Sequence, residues 1–300
     1  MSLIVLSLAK PRQIYIYKLY YIPVQLGLPI NMSSNVGMGA CCMSGQLHNH
    51  AQPTGSETTI GGLKAYVTEP ESKDRSKVIV FLTDIFGYEL PNVRILADLY
   101  AKEGFYCIVP DILESDPIDI GFLQTVEPPL KDKQQAGLID TAKNTALVGA
   151  TLGPWLPKHR EAVTLPIVEK FIDEIRKAPG TKKIGTIGFC FGGRYSILMA
   201  HGKVDAAYAC HPSLVGIPAD FDPANKPLSL AVGTEDSLLD NKSVDQIKEI
   251  LSKKQDTEVV VYQDQVHGFS LRGDYSSDKD KKAQDDALKQ GVTWFNKYLS

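Results

Sequence analysis

The sequence has no excess of basic residues: 32 Lys and Arg stand against 35 Asp and Glu, a formal net charge of −3. That removes the electrostatic case for nucleic acid as a partner. No apolar run approaches the ~18 residues that a membrane span needs, so no membrane partner is expected either. Cysteine is scarce and odd in number, five residues at positions 41, 42, 107, 190 and 210. That usage argues against a secreted disulfide framework and for a reducing, cytoplasmic setting. Repeats and low-complexity tracts are also missing. What remains is an ordinary globular composition, 43% hydrophobic and 22% charged over 300 residues. Such a chain can bury a full core without metal or disulfides, in one or two domains.

Acidic residues are missing from the beginning of the chain, where none precedes Glu57. Residues 1–31 carry Lys10, Arg12, Lys18 and a cluster of Tyr15, Tyr17, Tyr20 and Tyr21. The apolar run 3–9 is followed rather than preceded by its charges, a poor secretory signal, and a single Arg makes a weak mitochondrial presequence. The expectation is an N-terminal extension that is disordered or not translated, with Met32 as the true start. A transit segment and a structured element are the alternatives. The folded domain is then expected over 32–300.

From residue 60 onward, β-rich apolar runs alternate with amphipathic stretches, the pattern of a mostly parallel sheet covered by helices. Strands are expected over 63–67, 77–82, 106–109, 183–189, 204–209, 227–232 and 258–266. Helices are expected over 92–102, 161–177, 191–201, 244–251 and 280–299. The stretch 112–157 contains Pro117, Pro128, Pro129, Pro154 and Pro157 and shows no clear period. It is expected to be an irregular insertion with short helices, a lid or a pocket wall. The sum is an α/β domain with a single doubly wound sheet of about seven strands.

Gly188-Phe189-Cys190-Phe191-Gly192 is G-x-C-x-G between an expected strand and an expected helix. A nucleophile at such a corner sits on a sharp turn, so its neighbours two residues away on either side must be small. The helix N-terminus beneath it favours a thiolate. A free thiol is only a few per cent ionised at neutral pH, so a base is required. The partners of such an elbow follow in the order acid, then His. Asp236 lies beyond the strand expected at 227–232, and His267 beyond the strand expected at 258–266. Both are at carboxyl ends, where open α/β sheets keep their sites. Glu235 and Asp240 compete with Asp236 for the acid role. A buried structural role for Cys190 and a dinucleotide loop around Gly185, Gly188 and Gly192-Gly193 are the competing readings. The second lacks the G-x-G-x-x-G spacing.

These residues resemble the dienelactone hydrolase family, a branch of the α/β-hydrolase fold that uses Cys in place of Ser. The resemblance rests on Thr83-Asp84-Ile85-Phe86-Gly87, Gly188 through Gly193, Gly233 through Asp236, and His267-Gly268-Phe269. The stretch from Cys41-Cys42 through His48, Pro53, Gly55 and Gly61 is similar to the opening of fungal-type members. The resemblance implies that Cys190 is the nucleophile, His267 the general base and Asp236 its orienter. It further implies an oxyanion hole from the backbone N–H groups of Ile85 and Phe191, and no cofactor. Members often carry Glu where this chain has Asp84, which makes Asp84 a thiol-activating candidate one methylene shorter.

Around that core, His211 follows a strand on the same sheet edge and is a candidate for the pocket lining, as is Trp155. Arg160 and Arg194 are candidates for binding a substrate carboxylate, because Arg matches carboxylate geometry. Each of these four also has a bland reading as packing or surface. Cys41-Cys42 with His48 and His50 lack C-x₂-C spacing, so no metal is expected. The expected activity is hydrolysis of a small ester or lactone through an acyl-thiolate intermediate. The alternatives are a non-hydrolytic binding or redox-responsive protein on the same fold, and a thioester or carbon–carbon hydrolase of a biosynthetic pathway.

Overall fold

The computed structural model describes residues 38, 43, 45–48, 51–124 and 138–300. The expected extension at 1–31, Cys41, Cys42 and His50 lie outside the described residues. The described residues all belong to one compact unit, Ser33–Ser300.

Eight strands form one sheet: β1 (Ser56–Ile60), β2 (Leu63–Thr68), β3 (Lys77–Leu82), β4 (Tyr106–Pro110), β5 (Lys183–Phe189), β6 (Ala206–Cys210), β7 (Leu228–Gly233) and β8 (Thr257–Tyr262). Their order is β1-β2-β4-β3-β5-β6-β7-β8. β1 pairs antiparallel with β2 and β2 antiparallel with β4, and every other pair is parallel. The helices are α1 (Pro91–Lys102), α2 (Leu138–Lys158), α3 (Glu161–Lys177), α4 (Phe191–Met199), α5 (Asn241–Leu251), α6 (Phe269–Arg272) and α7 (Asp278–Tyr298). This is the α/β-hydrolase fold. Among the described residues no helix is long and apolar enough to cross a membrane.

The central strands are continuous apolar runs because helices cover both faces of the sheet. Val78, Ile79, Val80, Phe81 and Leu82 of β3 are completely buried. In β5, Gly185 makes room for α7, since a Cβ there would stand 2.6 Å from the ring of Phe295. The parallel strands leave their carboxyl ends aligned along one rim.

Three expectations are corrected. The first strand, β1, was not anticipated because four of its five residues are exposed and it carries no apolar alternation. β8 ends at Tyr262 rather than at 266: Asp264 takes φ 55° and its N–H leaves the ladder for Thr234 Oγ1, 2.8 Å away. The insertion is more regular than expected, with a 3₁₀ turn at Ile120–Gln124 and a helix of 21 residues, α2. Pro154 and Pro157 lie inside that helix, where each removes a backbone hydrogen bond. Packing outweighs the loss: Leu152 and Trp155, on one helical face, and His159 just past the helix end are all buried.

Candidate active site

Cys190 follows β5 and caps α4 with φ 51° and ψ −112°. This left-handed backbone is strained for any residue but glycine. The corner is tight on both sides. A Cβ on Gly188 would lie 2.2 Å from the Gly192 carbonyl oxygen, and one on Gly192 2.1 Å from that of Leu82. Backbone hydrogen bonds lock it: Cys190 N–H to Cys210 O at 3.2 Å, Gly192 N–H to Thr83 O at 3.0 Å, and Ser213 N–H to Cys190 O at 3.0 Å. The thiol is fully buried, with Ser213 Oγ 3.7 Å from Sγ.

Asp236 and His267 arrive on two loops that are fastened to each other. Glu235 N–H donates to Gln265 O at 3.0 Å. Gly233 passes so close that a Cβ would meet the same carbonyl at 2.1 Å. The result is a hydrogen bond of 2.9 Å between His267 Nδ1 and Asp236 Oδ2, with both side chains fully buried. The other carboxylate oxygen of Asp236 accepts from Leu238 N–H at 2.8 Å and Leu239 N–H at 3.3 Å. Of the three candidate carboxylates, Asp236 is the one bonded to His267. Glu235 is exposed, and Asp240 caps α5 by accepting from Ser243 N–H at 2.8 Å.

Burial pushes the His267 pKa down, but the Asp236 carboxylate and then Cys190, by charge and hydrogen bond, carry it well above the ordinary histidine value. A ring held this way favours its protonated form. That arrangement suits a thiolate–imidazolium pair.

The loop after β3 supplies Asp84 and Ile85. Asp84 accepts from Phe86 N–H at 3.0 Å through one oxygen and pairs with Arg272 Nε at 2.9 Å through the other. Burial raises its pKa; the Arg272 charge opposes that and the Cys190 charge adds to it, leaving a value of about 6. A negative charge on Asp84 and one on Cys190 thus disfavour each other. The carboxylate lies close enough to sense the sulfur, yet it spends its oxygens on Arg272 and a backbone amide. Among the described residues, neither the Ile85 nor the Phe191 N–H is bonded to a protein acceptor. Phe191 begins α4, where the first N–H groups have no intrahelical partner.

His211 and Trp155 are brought to this cluster. The His211 ring lies 5.1 Å from that of His267, and Trp155 packs its ring 5.2 Å from Phe191 while donating from Nε1 to Asp116 O at 2.8 Å. The two candidate arginines are not. Arg194 holds Asp220 in a bidentate pair, at 2.7 and 3.1 Å, and adds Glu161 at 2.5 Å. Its guanidinium is committed to structure. Arg160 is exposed at the start of α3 and donates to Pro157 O at 2.6 Å. His48 bonds Gly273 O at 3.3 Å and rests on Tyr275. Sequence reasoning missed Arg272 and Ser213. The available signals were the Arg five residues after His267 and the Ser two after His211.

The model of the dienelactone hydrolase family matches residues 63–299. Hydrolase pyvD of Aspergillus violaceofuscus is 30% identical over 261 residues, 86% of this chain and 96% of the relative. The carboxymethylenebutenolidase homolog of Xenopus tropicalis is 26% identical over 253 residues, 82% and 92% of the two chains. Among solved structures, a putative dienelactone hydrolase from Klebsiella pneumoniae superposes with a TM-score of 0.59 at 20% identity, covering 82% of this chain and 99% of its own. That last likeness concerns the fold alone. With the match running from β2 to the end of α7, the chain belongs to the dienelactone hydrolase family and is a hydrolase of small esters or lactones.

Proposed function

We propose that the chain cleaves its ester or lactone through Cys190, His267 and Asp236, with an acyl-thioester intermediate on Cys190. The observation that carries this reading is the buried 2.9 Å contact from His267 Nδ1 to Asp236, on a ring that also interacts with Cys190. The Cys190 thiolate attacks the carbonyl carbon, and the oxygen takes up negative charge between the Ile85 and Phe191 N–H groups. As the tetrahedral species collapses, the carbon–oxygen bond breaks and His267 passes its proton to the departing oxygen. In a lactone that oxygen stays tethered to the acyl group. His267 then takes a proton from water, the resulting hydroxide attacks the thioester, the carbon–sulfur bond breaks, and the acid leaves. Asp236 holds the imidazole in one orientation and offsets its charge throughout.

Asp84, in this reading, fixes Arg272 and the loop that carries the Ile85 N–H, and Trp155 walls the pocket beside Phe191. Among the described residues Cys107, Cys190 and Cys210 form no disulfide, in keeping with a reducing, cytoplasmic setting.

The test is hydrolysis of a panel of aryl esters and enol lactones by the wild type, Cys190→Ala and His267→Ala. Turnover lost in both variants, with an acyl adduct on wild-type Cys190 in rapid-quench mass spectrometry, is the expected result. Turnover that survives Cys190→Ala would sink the covalent mechanism.

A further inference from the structure

β6 contributes nothing to the triad, yet the three residues after it reach both ends of the catalytic pair. Ser213 touches Cys190, and His211 touches His267. His211 adopts φ 37°, a strained conformation for a non-glycine residue that persists only where the surroundings impose it. They do so here. Its N–H donates to Ala231 O at 2.7 Å, and its side chain is completely buried.

The ring is held on several sides. It meets His267 edge to face, with centroids 5.1 Å apart and planes at 71°. Phe189 and Phe269 flank it at 6.1 and 5.8 Å. Nε2 is hydrogen-bonded to Ser270 Oγ at 2.9 Å. The other ring nitrogen, Nδ1, is buried without a hydrogen-bond partner.

We propose that His211 is a positioning residue for His267: its ring braces the imidazole of the base, and Ser270 holds the brace in place. This rests on His267 being the general base. A packed, tethered ring on one side and Asp236 on the other leave the base little freedom to swing away from Cys190. The brace is also electrically suitable. Burial, then the charges of His267 and Arg272, put the His211 pKa well below the ordinary histidine value. A positive charge on His211 is therefore disfavoured beside a protonated His267. The flanking rings of Phe189 and Phe269 carry no charge.

Two substitutions separate the ring from its nitrogens. His211→Phe keeps the aromatic contact and loses the tether to Ser270. His211→Gln loses the ring and keeps a polar group of similar size. The readouts are kcat and KM for an aryl ester, and the pH profile of iodoacetamide alkylation of Cys190, which reports the thiol–imidazole pair. His211→Gln is expected to lower kcat about tenfold at unchanged KM and to move the alkylation midpoint to higher pH. His211→Phe is expected to stay within about threefold of wild type.

Wild-type kcat and alkylation profile in folded His211→Gln would overturn the proposal. So would His211→Phe as inactive as His267→Ala, because the His211 nitrogens would then belong to the chemistry. If His211→Gln does not fold, Ser270→Ala carries the test. A smaller shift in the same direction is expected, and an unchanged profile overturns the brace. Turnover surviving in His267→Ala would instead defeat the assignment of the base, whatever His211 does.

Discussion

Arg272 Nε lies 2.9 Å from Asp84 Oδ2, and neither side chain reaches solvent. The pair joins the loop after β3 to the short helix after His267, two segments far apart in sequence that must meet for the site to form. The guanidinium also lies over the ring of Phe86, 5.4 Å from its centroid. Two charges taken out of water are stabilising only in each other's company.

Removing one partner should therefore harm the fold more than removing both. Arg272→Met is expected to destabilise the protein by about 3–5 kcal/mol, because it leaves Asp84 buried and unpaired. Adding Asp84→Asn to Arg272→Met should recover part of that loss. Urea denaturation of the two single variants and the double variant measures the coupling. Strictly additive effects would show that the two side chains do not act as a pair.

His267 makes stability depend on pH with a definite sign. Its folded pKa is raised well above the ordinary histidine value, chiefly by Asp236 against the cost of burial. A raised value means that the folded state holds the proton more tightly than the unfolded chain does. The contribution is complete below about pH 6.5, the unfolded value, and is lost as pH rises through the folded one. The stability of the wild type relative to His267→Gln should therefore shrink from neutral to alkaline pH, measured by urea unfolding at a series of pH values. A difference that grows with pH would contradict the assignment.

Much of this architecture was legible in sequence because its cause is local. β3 is a nearly unbroken apolar run and β5 a buried strand leading into the glycine-flanked elbow, and both are located to the residue. The elbow glycines announced themselves because only glycine tolerates the carbonyl contacts at Gly188 and Gly192. Asp236 and His267 stood out by order and by their places after strands. What escaped depends on partners distant in the chain. Arg272 is signalled only by its place five residues after His267, and its meaning comes from Asp84, across the sheet rim. Arg194 resembled a carboxylate binder and is one, but its carboxylates are Asp220 and Glu161 of the same chain. α2 was obscured by its prolines, since burial of Leu152 and Trp155, rather than local propensity, sustains it.

The two kinds of glycine in this chain should respond oppositely to alanine. Gly192→Ala places a Cβ 2.1 Å from the Leu82 carbonyl and 2.5 Å from that of Thr83, so the elbow must deform. A loss of about 3 kcal/mol or more and of turnover is expected. Gly149, exposed in α2, has nothing within 4 Å of such a Cβ. Gly149→Ala should raise stability by about 0.5–1 kcal/mol with turnover unchanged. Thermal melts of both variants check this, and a destabilised Gly149→Ala would count against a helix at that position.

Arg194 provides a test of whether a guanidinium on the elbow helix serves the substrate or the scaffold. It sits on α4, the helix that begins at the elbow, with its side chain 17% exposed against 6% for Asp220. Asp220 in turn accepts from Gly216 N–H at 2.8 Å, so the bidentate pair ties α4 to the loop after β6. Arg194→Met should cost about 2–3 kcal/mol, since it strips charge-assisted hydrogen bonds from a nearly buried carboxylate. The ratio of kcat/KM between an ester carrying a carboxylate and its neutral analogue should not change. Arg160→Ala, which removes an exposed side chain, should alter neither stability nor that ratio. A selective rise in KM for the anionic ester in Arg194→Met would return this residue to the substrate pocket and would require Asp220 to release it during turnover.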